Sequence, residues 1–293
     1  MLTSSNVIFY IAFLGQIFLL SYYYPGKILA RIKFVRETYP PAEYPRLYPK
    51  SKKHFLVGYK RFQWASRIIM AIGFVILYMI MFVVDQATFA DDGFVSEAFP
   101  AAYGMLQFLP LMALEISEFS QFKQMREAQV GTTRTADMRR RGLFNFVTPR
   151  LFFLALTLFL VAVAYDFYVQ DLVTGINTDS MLRALILTAS NLFLVGLGTW
   201  LMIGKKLNPH QSADDRVKHI GASLRSFLYT SMAMSVFWMV QITDDIYDLA
   251  FLDATILSIY FQAIAFLSIG TLLRTMKLKD LDFEVYRDNP AAT

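Results

Sequence analysis

The chain has 293 residues, of which 56% are hydrophobic, 16% aromatic and only 17% charged, and its formal net charge is +5. This composition excludes an intrinsically disordered chain, which combines low hydrophobicity with high charge, and it argues against a soluble enzyme. The absence of cysteine excludes disulfides, thiolate metal sites and a cysteine nucleophile.

Apolar segments of membrane-spanning length recur along the whole chain. A transmembrane helix needs about 20 largely apolar residues, with about 17 to 25 tolerated. Six segments meet this requirement, and a seventh, residues 101–122, is weaker because it contains several polar residues and a proline. The predicted spans are residues 7–24, 68–84, 101–122, 147–169, 184–203, 226–242 and 254–273. The sequence therefore predicts an all-α, polytopic helical membrane protein with seven transmembrane helices, forming a single integral membrane domain over residues 1–293.

The charge distribution indicates that the weak segment also crosses the membrane, because Lys and Arg accumulate in cytoplasmic loops. With seven spans, every Lys and Arg except Arg183 falls in loops 25–67, 123–150 and 204–225 or in the C-terminal segment, whereas the opposite loops are acidic. If residues 101–122 did not cross, every later loop would change sides and this separation would be lost. We therefore predict an outside N-terminus and a cytoplasmic C-terminus, with the plasma (cell inner) membrane as the location.

After the first span, the remainder reads as three hairpins of similar length. The first helix of each runs from a basic to an acidic residue about one bilayer thickness later. These pairs are Arg67 and Asp85, Arg150 and Asp166, and Arg225 and Asp244. One interpretation is a quasi-repeat architecture, which many transporters have. The alternative is that any series of hairpins that obeys the positive-inside rule shows this pattern.

The third span carries the most informative polar residues. On a helical projection they share one sector, which holds Gly104, Gln107, Glu115, Glu118 and Gln121. Pro110 can interrupt the hydrogen-bond ladder before Glu115. An ionised carboxylate near the centre of a span costs about 2.5 to 3.5 kcal/mol, so this sector is expected to face other helices or water and suits a proton or cation pathway. The alternative is that Glu115 and Glu118 lie near the cytoplasmic interface and pair with Lys123 or Arg126.

The predicted outer loops contain a cluster of three acidic residues, Asp244, Asp245 and Asp248. Hard divalent cations prefer carboxylate oxygens, so this cluster is a candidate cation site. It lacks the glycine-centred ligand spacing of calcium loops, and acidic outer turns also follow from the topology. Arg183 is expected to pair with Asp179, four residues earlier.

The three histidines all lie on the predicted cytoplasmic side of the membrane. A haem between the spans would need histidine ligands within them, and membrane di-iron sites need many histidines. The sequence therefore predicts neither a resident metal nor a cofactor.

The first cytoplasmic loop, residues 25–67, is basic and rich in Tyr-Pro pairs. Tyr39, Tyr44 and Tyr48 each precede a proline. Proline disfavours helix at the preceding residue, so this stretch is expected to be extended and to present its rings among basic residues. Such a segment can contact a partner or the lipid headgroups. The alternative is an ordered linker that packs against the ends of its own helices.

These observations favour a non-catalytic subunit or scaffold of a membrane assembly, which contacts the lipid bilayer and a protein partner or a second copy of the chain. The alternative is a transporter or channel for a proton, cation or small solute that uses the acidic residues of the third span. An intramembrane enzyme is less favoured because no complete set of catalytic groups is visible. The topology accounts for the basic excess, so no nucleic-acid partner is expected.

Overall fold

The computed structural model describes residues 4–49, 52–83, 95–128, 142–173, 178–204, 208–247 and 249–287. Within these residues the chain is helical and contains no strand. Its long helices are α1 (residues 4–38), α2 (Lys52–Tyr78, extended by π-helical Met79–Val83), α3 (Ala98–Ala128), α4 (Pro149–Val173), α5 (Thr178–Ile203), α6 (Ala213–Tyr247) and α7 (Asp253–Leu267, followed by Ile269–Thr275). Short 3-10 turns lie at Pro45–Leu47, Leu143–Asn145, Ala250–Leu252, Leu278–Asp280 and Glu284–Tyr286.

Six helical stretches in the described residues are long and apolar enough to cross a membrane. They are Asn6–Thr38, Phe55–Phe82, Ala98–Glu127, Pro149–Val169, Ser180–Ile203 and Ala250–Thr275. The weak segment at residues 101–122 is among them. The predicted class, an all-helical integral membrane protein in a lipid bilayer, is therefore confirmed.

The remaining predicted span, residues 226–242, lies within α6. This helix has 35 residues but is more polar than the six membrane-spanning stretches. It packs against α4, α5 and α7, and Ser226, Ser231 and Ser235 on it are buried. A helix that packs against three others exposes less surface than one at the edge of a bundle, and small residues let its neighbours approach closely. The central position of α6 thus accounts for its lower hydropathy.

The predicted loop at residues 25–67 is helical at both of its ends. In α1, Ser4–Gln16 continues through π-helical Ile17–Tyr23 into Tyr24–Thr38, and α2 begins at Lys52. Proline normally ends a helix because it lacks an N–H, but a π-helical adjustment beside it can satisfy the freed backbone groups. The π-helical turn directly before Pro25 explains why α1 continues past the predicted end of the first span.

The helices form two groups that meet along α6 and α7. In the first group, α1 packs against α2, α3 and α7; in the second, α4 and α5 pack against α6. Two hydrogen bonds show that α1 and α7 run parallel. Near the start of both helices the Gln262 amide donates to the carbonyl of Ala12, and further along both the Arg31 guanidinium donates to the carbonyl of Leu273. The C-terminal ends of α1 and α7 therefore lie on one face, which we call the tail-side face.

Candidate functional site

A buried polar cluster, formed by Gln16, Ser21, Tyr103 and Gln107, joins α1 to α3. Gln16 Nε2 donates to Gln107 Oε1 at 3.0 Å, and Gln107 Nε2 donates to the Gln16 carbonyl at 3.2 Å and to Ser21 Oγ at 2.8 Å. The Tyr103 hydroxyl lies 3.1 Å from Ser21 Oγ and donates to the carbonyl of Ile69 in α2 at 3.1 Å. The cluster therefore hydrogen-bonds three helices together.

The hydrogen bonds of the buried polar cluster run in one direction. Because Tyr103 donates to a backbone carbonyl, its oxygen is left to accept from Ser21, whose own oxygen accepts from Gln107. Pro110 lines the adjacent space with Pro25 and Leu111, and that space is too narrow to admit a water molecule. The structure thus places Gln107 and Pro110 in a packed helix interface.

Glu115 and Glu118 lie further along α3, on its exposed surface and outside the buried polar cluster. Among the residues that the structure describes, neither carboxylate forms an ion pair with Lys123 or Arg126. Glu118 is near enough to Tyr286, close to the end of the described chain, for its charge to help raise the pKa of that phenol. The four residues predicted to share a pathway are therefore split between a packed interface and an exposed surface near the tail-side face.

Asp166 and Arg183 form an ion pair between α4 and α5, with Asp166 Oδ1 3.3 Å from Arg183 Nη2. Asp166 is only 1% exposed, and its Oδ2 has no hydrogen-bond partner among the described residues. The side chain of Asp179, the predicted partner of Arg183, lies outside the described residues. The observed pair therefore links α4 to α5 across their interface.

Only part of the predicted outer acidic cluster is described. Asp244 is 4% exposed near the end of α6, and its Oδ1 has no hydrogen-bond partner within the described residues. The side chain of Asp245 and the whole of Asp248 lie outside these residues. No group of three or more His, Cys, Asp or Glu that could hold a metal ion occurs in the described part of the chain.

The Tyr-Pro segment contacts the C-terminal tail, residues 277–287. The Tyr39 ring stacks on Phe283 with 4.1 Å between the ring centroids, and the Tyr44 hydroxyl donates to Glu284 Oε1 at 2.9 Å. This hydrogen bond to a carboxylate is the main cause that raises the pKa of Tyr44. The Tyr48 hydroxyl donates to the carbonyl of Tyr39 at 2.8 Å. All three predicted contact residues thus pack against the chain itself.

The C-terminal tail also crosses the start of α6. The Asp282 N–H donates to Asp215 Oδ2 at 2.9 Å, and Lys218 Nζ donates to a tail carbonyl at 2.7 Å. Asn208, in the linker before α6, donates to the Tyr286 hydroxyl at 2.6 Å. Burial is the largest cause that raises the pKa of Tyr286 to about 12. The tail therefore joins the Tyr-Pro segment, the linker and α6 into one surface on the tail-side face.

Sequence reasoning identified Gln107 and the three tyrosines but not which residues they contact. Gln16 is recognisable as a polar residue inside an apolar span whose amide can bond to another helix; Ser21 and Phe283 carry no such signal, because these residue types are ordinary in spans and tails. Comparisons with protein-family models, curated proteins and solved structures find no match to this chain.

Proposed function

We propose that this protein is a non-catalytic subunit or scaffold of a membrane assembly. The observation that carries the proposal is the surface on the tail-side face, where the C-terminal tail packs on the Tyr-Pro segment and on α6. Ordering loops costs about 1 to 2 kcal/mol of entropy per residue, and the ring stacking and hydrogen bonds here offset part of this cost. An ordered surface loses less entropy when a partner binds, so it suits the attachment of a second protein or a second copy of the chain.

The helix interior supports the same function. The buried polar cluster hydrogen-bonds α1, α2 and α3 to one another. Gly104 lets α3 approach α7 so closely that a Cβ atom there would lie 2.6 Å from the Phe261 ring. Polar bonds between helices and small residues at close crossings hold membrane bundles together. These polar residues therefore have a structural role that a scaffold requires.

The proposal includes seven spans in a single membrane domain, with the N-terminus outside and the tail-side face in the cytoplasm of a cell with a plasma (inner) membrane. The proposal that α6 spans the membrane is supported by its packing along the length of α4, which is long and apolar enough to cross. Near one end of the pair, a Cβ atom at Gly221 would lie 3.2 Å from the Phe146 carbonyl. Near the other end, the Thr243 hydroxyl lies 2.9 Å from the Tyr165 hydroxyl. Both α4 and α6 also reach a buried aspartate near their ends, as a hairpin quasi-repeat would require.

Cysteine labelling tests the topology, since the chain contains no native cysteine. Glu97→Cys and Thr178→Cys are expected to react with a membrane-impermeant maleimide added to intact cells. Glu43→Cys and Lys279→Cys are expected to react only after the cells are opened. Labelling of Lys279→Cys in intact cells would contradict the cytoplasmic placement of the tail-side face.

Native isolation tests the scaffold function. The protein, purified from its own membrane in mild detergent, is expected to form a particle heavier than the 33.6 kDa chain, with a partner or a further copy in fixed ratio. Arg46→Glu combined with Lys279→Glu, two exposed charges on the tail-side face, should release that partner. Glu97→Lys, at the opposite face, is the matched control and should retain it. A lone monomer in native membranes would overturn the proposal.

The second candidate function is a transporter or channel, and the observation that favours it is the exposure of Glu115 and Glu118 without basic partners among the described residues. Reconstituted liposomes would then show a proton or cation flux that Glu115→Gln and Glu118→Gln reduce while the protein remains folded. A scaffold would give liposomes with no flux above empty controls.

A further inference from the structure

A groove of about 510 Å³ lies between α4, α6 and α7, at the face opposite the tail-side face. Its walls are mostly apolar and include Val240 of α6, Leu252 in the turn before α7, and Ile256 in the first turn of α7. Val236 and Val240 are exposed on the outer surface of the bundle, so the groove opens sideways. Its volume falls in the range of about 300 to 1,000 Å³ that is typical of sites for small organic molecules.

Among the described residues that line this groove, Asp244 is the charged one, and its Oδ1 lacks a hydrogen-bond partner within them. The neighbouring hydroxyls do not supply one. Thr243 donates its hydroxyl proton to the Met239 carbonyl at 2.8 Å. The Thr243 oxygen also lies 2.9 Å from the Tyr165 hydroxyl, and because its own proton is used it accepts the proton of Tyr165. Both hydroxyl protons are therefore engaged. A buried carboxylate without a partner is costly, and a ligand that brings a positive charge and an N–H would remove this cost.

We propose that the groove binds an amphiphilic amine, an organic cation with a protonated amino group and an apolar body. The amino group would pair with the Asp244 carboxylate, and the apolar body would lie along Val240, Leu252 and Ile256. A bare metal cation fits poorly, because hard cations take about six to eight oxygen ligands and the walls here are largely hydrocarbon. Such a site goes beyond the scaffold function and does not depend on it, because it lies at the other end of the bundle.

Photo-crosslinking tests the site on the full chain in nanodiscs of a neutral phospholipid. The probe is a long-chain primary amine that carries a diazirine, and the labelled peptides are mapped by mass spectrometry. We expect labelling within residues 236–243 and 249–256. Dodecylamine should compete at least about tenfold better than dodecanol. Only the amine brings a positively charged partner for the Asp244 carboxylate. This comparison uses the unmodified protein and so does not depend on the folding of any variant.

Two variants separate the charge from the groove. Asp244→Asn should weaken competition by dodecylamine about tenfold and leave that by dodecanol unchanged, whereas Leu252→Trp should fill the groove and abolish labelling by the probe. Asp214→Asn, an exposed acid at the other end of α6, and Val195→Trp, on the exposed surface of α5, are the matched controls and should change neither. Equal competition by the alcohol, or labelling spread evenly over lipid-exposed helices, would overturn the proposal.

Discussion

Gln16 and Gln107 pair reciprocally across the interface between α1 and α3. The side-chain amide of Gln16 donates to that of Gln107 at 3.0 Å, and Gln107 returns a hydrogen bond to the backbone carbonyl of Gln16 at 3.2 Å. In hydrocarbon an unpaired polar group costs several kcal/mol, so the two hydrogen bonds between these residues resist separation and sliding of the helices. The pair thereby fixes the register of α3 against α1 just before the π-helical segment Ile17–Tyr23 begins.

Replacing Gln107 with leucine should therefore destabilise the bundle. Gln107→Leu removes three hydrogen bonds and leaves Ser21 Oγ without a donor, so we expect a loss of about 1 to 3 kcal/mol in the free energy of unfolding. Unfolding in mixed micelles of mild detergent and dodecyl sulfate measures this loss. Gln121→Leu, on the same helix but half-buried, is the matched control and should cost much less. Equal stability of the two variants would show that the amide pair contributes little.

Gly104 provides a second test of the same group of helices. Because a Cβ atom at this position would lie 2.6 Å from the Phe261 ring, Gly104→Ala must push α3 away from α7 or displace the ring. Overpacking of this kind typically costs about 1 to 3 kcal/mol. Gly58→Ala is the control, since no atom outside its own stretch of helix lies within 4 Å of its Cβ position and alanine favours helix. We expect a lower melting temperature in detergent for Gly104→Ala only.

The membrane class could be predicted from the sequence because hydrophobic length and the asymmetry of basic residues are properties of single segments. The weak span at residues 101–122 was identified in this way. Partners were not predictable, since Gln16 and Gln107 are 91 residues apart and only the packing of the helices brings them together. The end of α1 was misjudged for a local reason: Pro25 indicates a helix boundary unless a π-helical turn precedes it.

The candidate site, too, was only partly predictable from the sequence. The Tyr-Pro pattern predicts a contact segment, but the same composition fits a lipid surface, a protein partner or an ordered linker that packs against the ends of its own helices. Phe283 and Glu284, which contact this segment in the structure, lie in a stretch without any recognisable pattern. Likewise, the spacing rule for ion pairs on one helix suggested Asp179 for Arg183, and it has no means of finding Asp166 on another helix.

Loss of one member of the Asp166–Arg183 pair should lower the free energy of unfolding more than loss of both members. Arg183→Met leaves Asp166, which is 1% exposed, as a buried charge without this partner. We expect a cost of about 3 kcal/mol, at the low end for broken buried pairs because the Arg183 side chain is 27% exposed. Adding Asp166→Asn should recover part of this loss. Unfolding in mixed micelles gives both values, and a double variant less stable than Arg183→Met would contradict the coupling.

The C-terminal tail should loosen at high pH. Burial is the main cause that raises the pKa of Tyr286 to about 12, and the carboxylates of Asp215, Glu118 and Asp282 add to it, whereas the bond from Asn208 opposes it. A released tail would have a phenol pKa of about 10. The Tyr286 phenol holds its proton more tightly when the tail is docked than when it is released. Docking is therefore fully stable below about pH 10, and its equilibrium constant falls by up to about tenfold per pH unit as the pH rises towards 12.

A nitroxide on Lys279→Cys should report this loosening as increased mobility between about pH 10 and pH 11.5. Tyr286→Phe should remove most of the pH dependence, and adding Tyr44→Phe should reduce it further, because the pKa of Tyr44 is also raised by its bond to Glu284. A label on Thr178→Cys, at the other end of the bundle, controls for general unfolding and should stay unchanged. The same increase in mobility in the double phenylalanine variant would show that tyrosine ionisation does not release the tail.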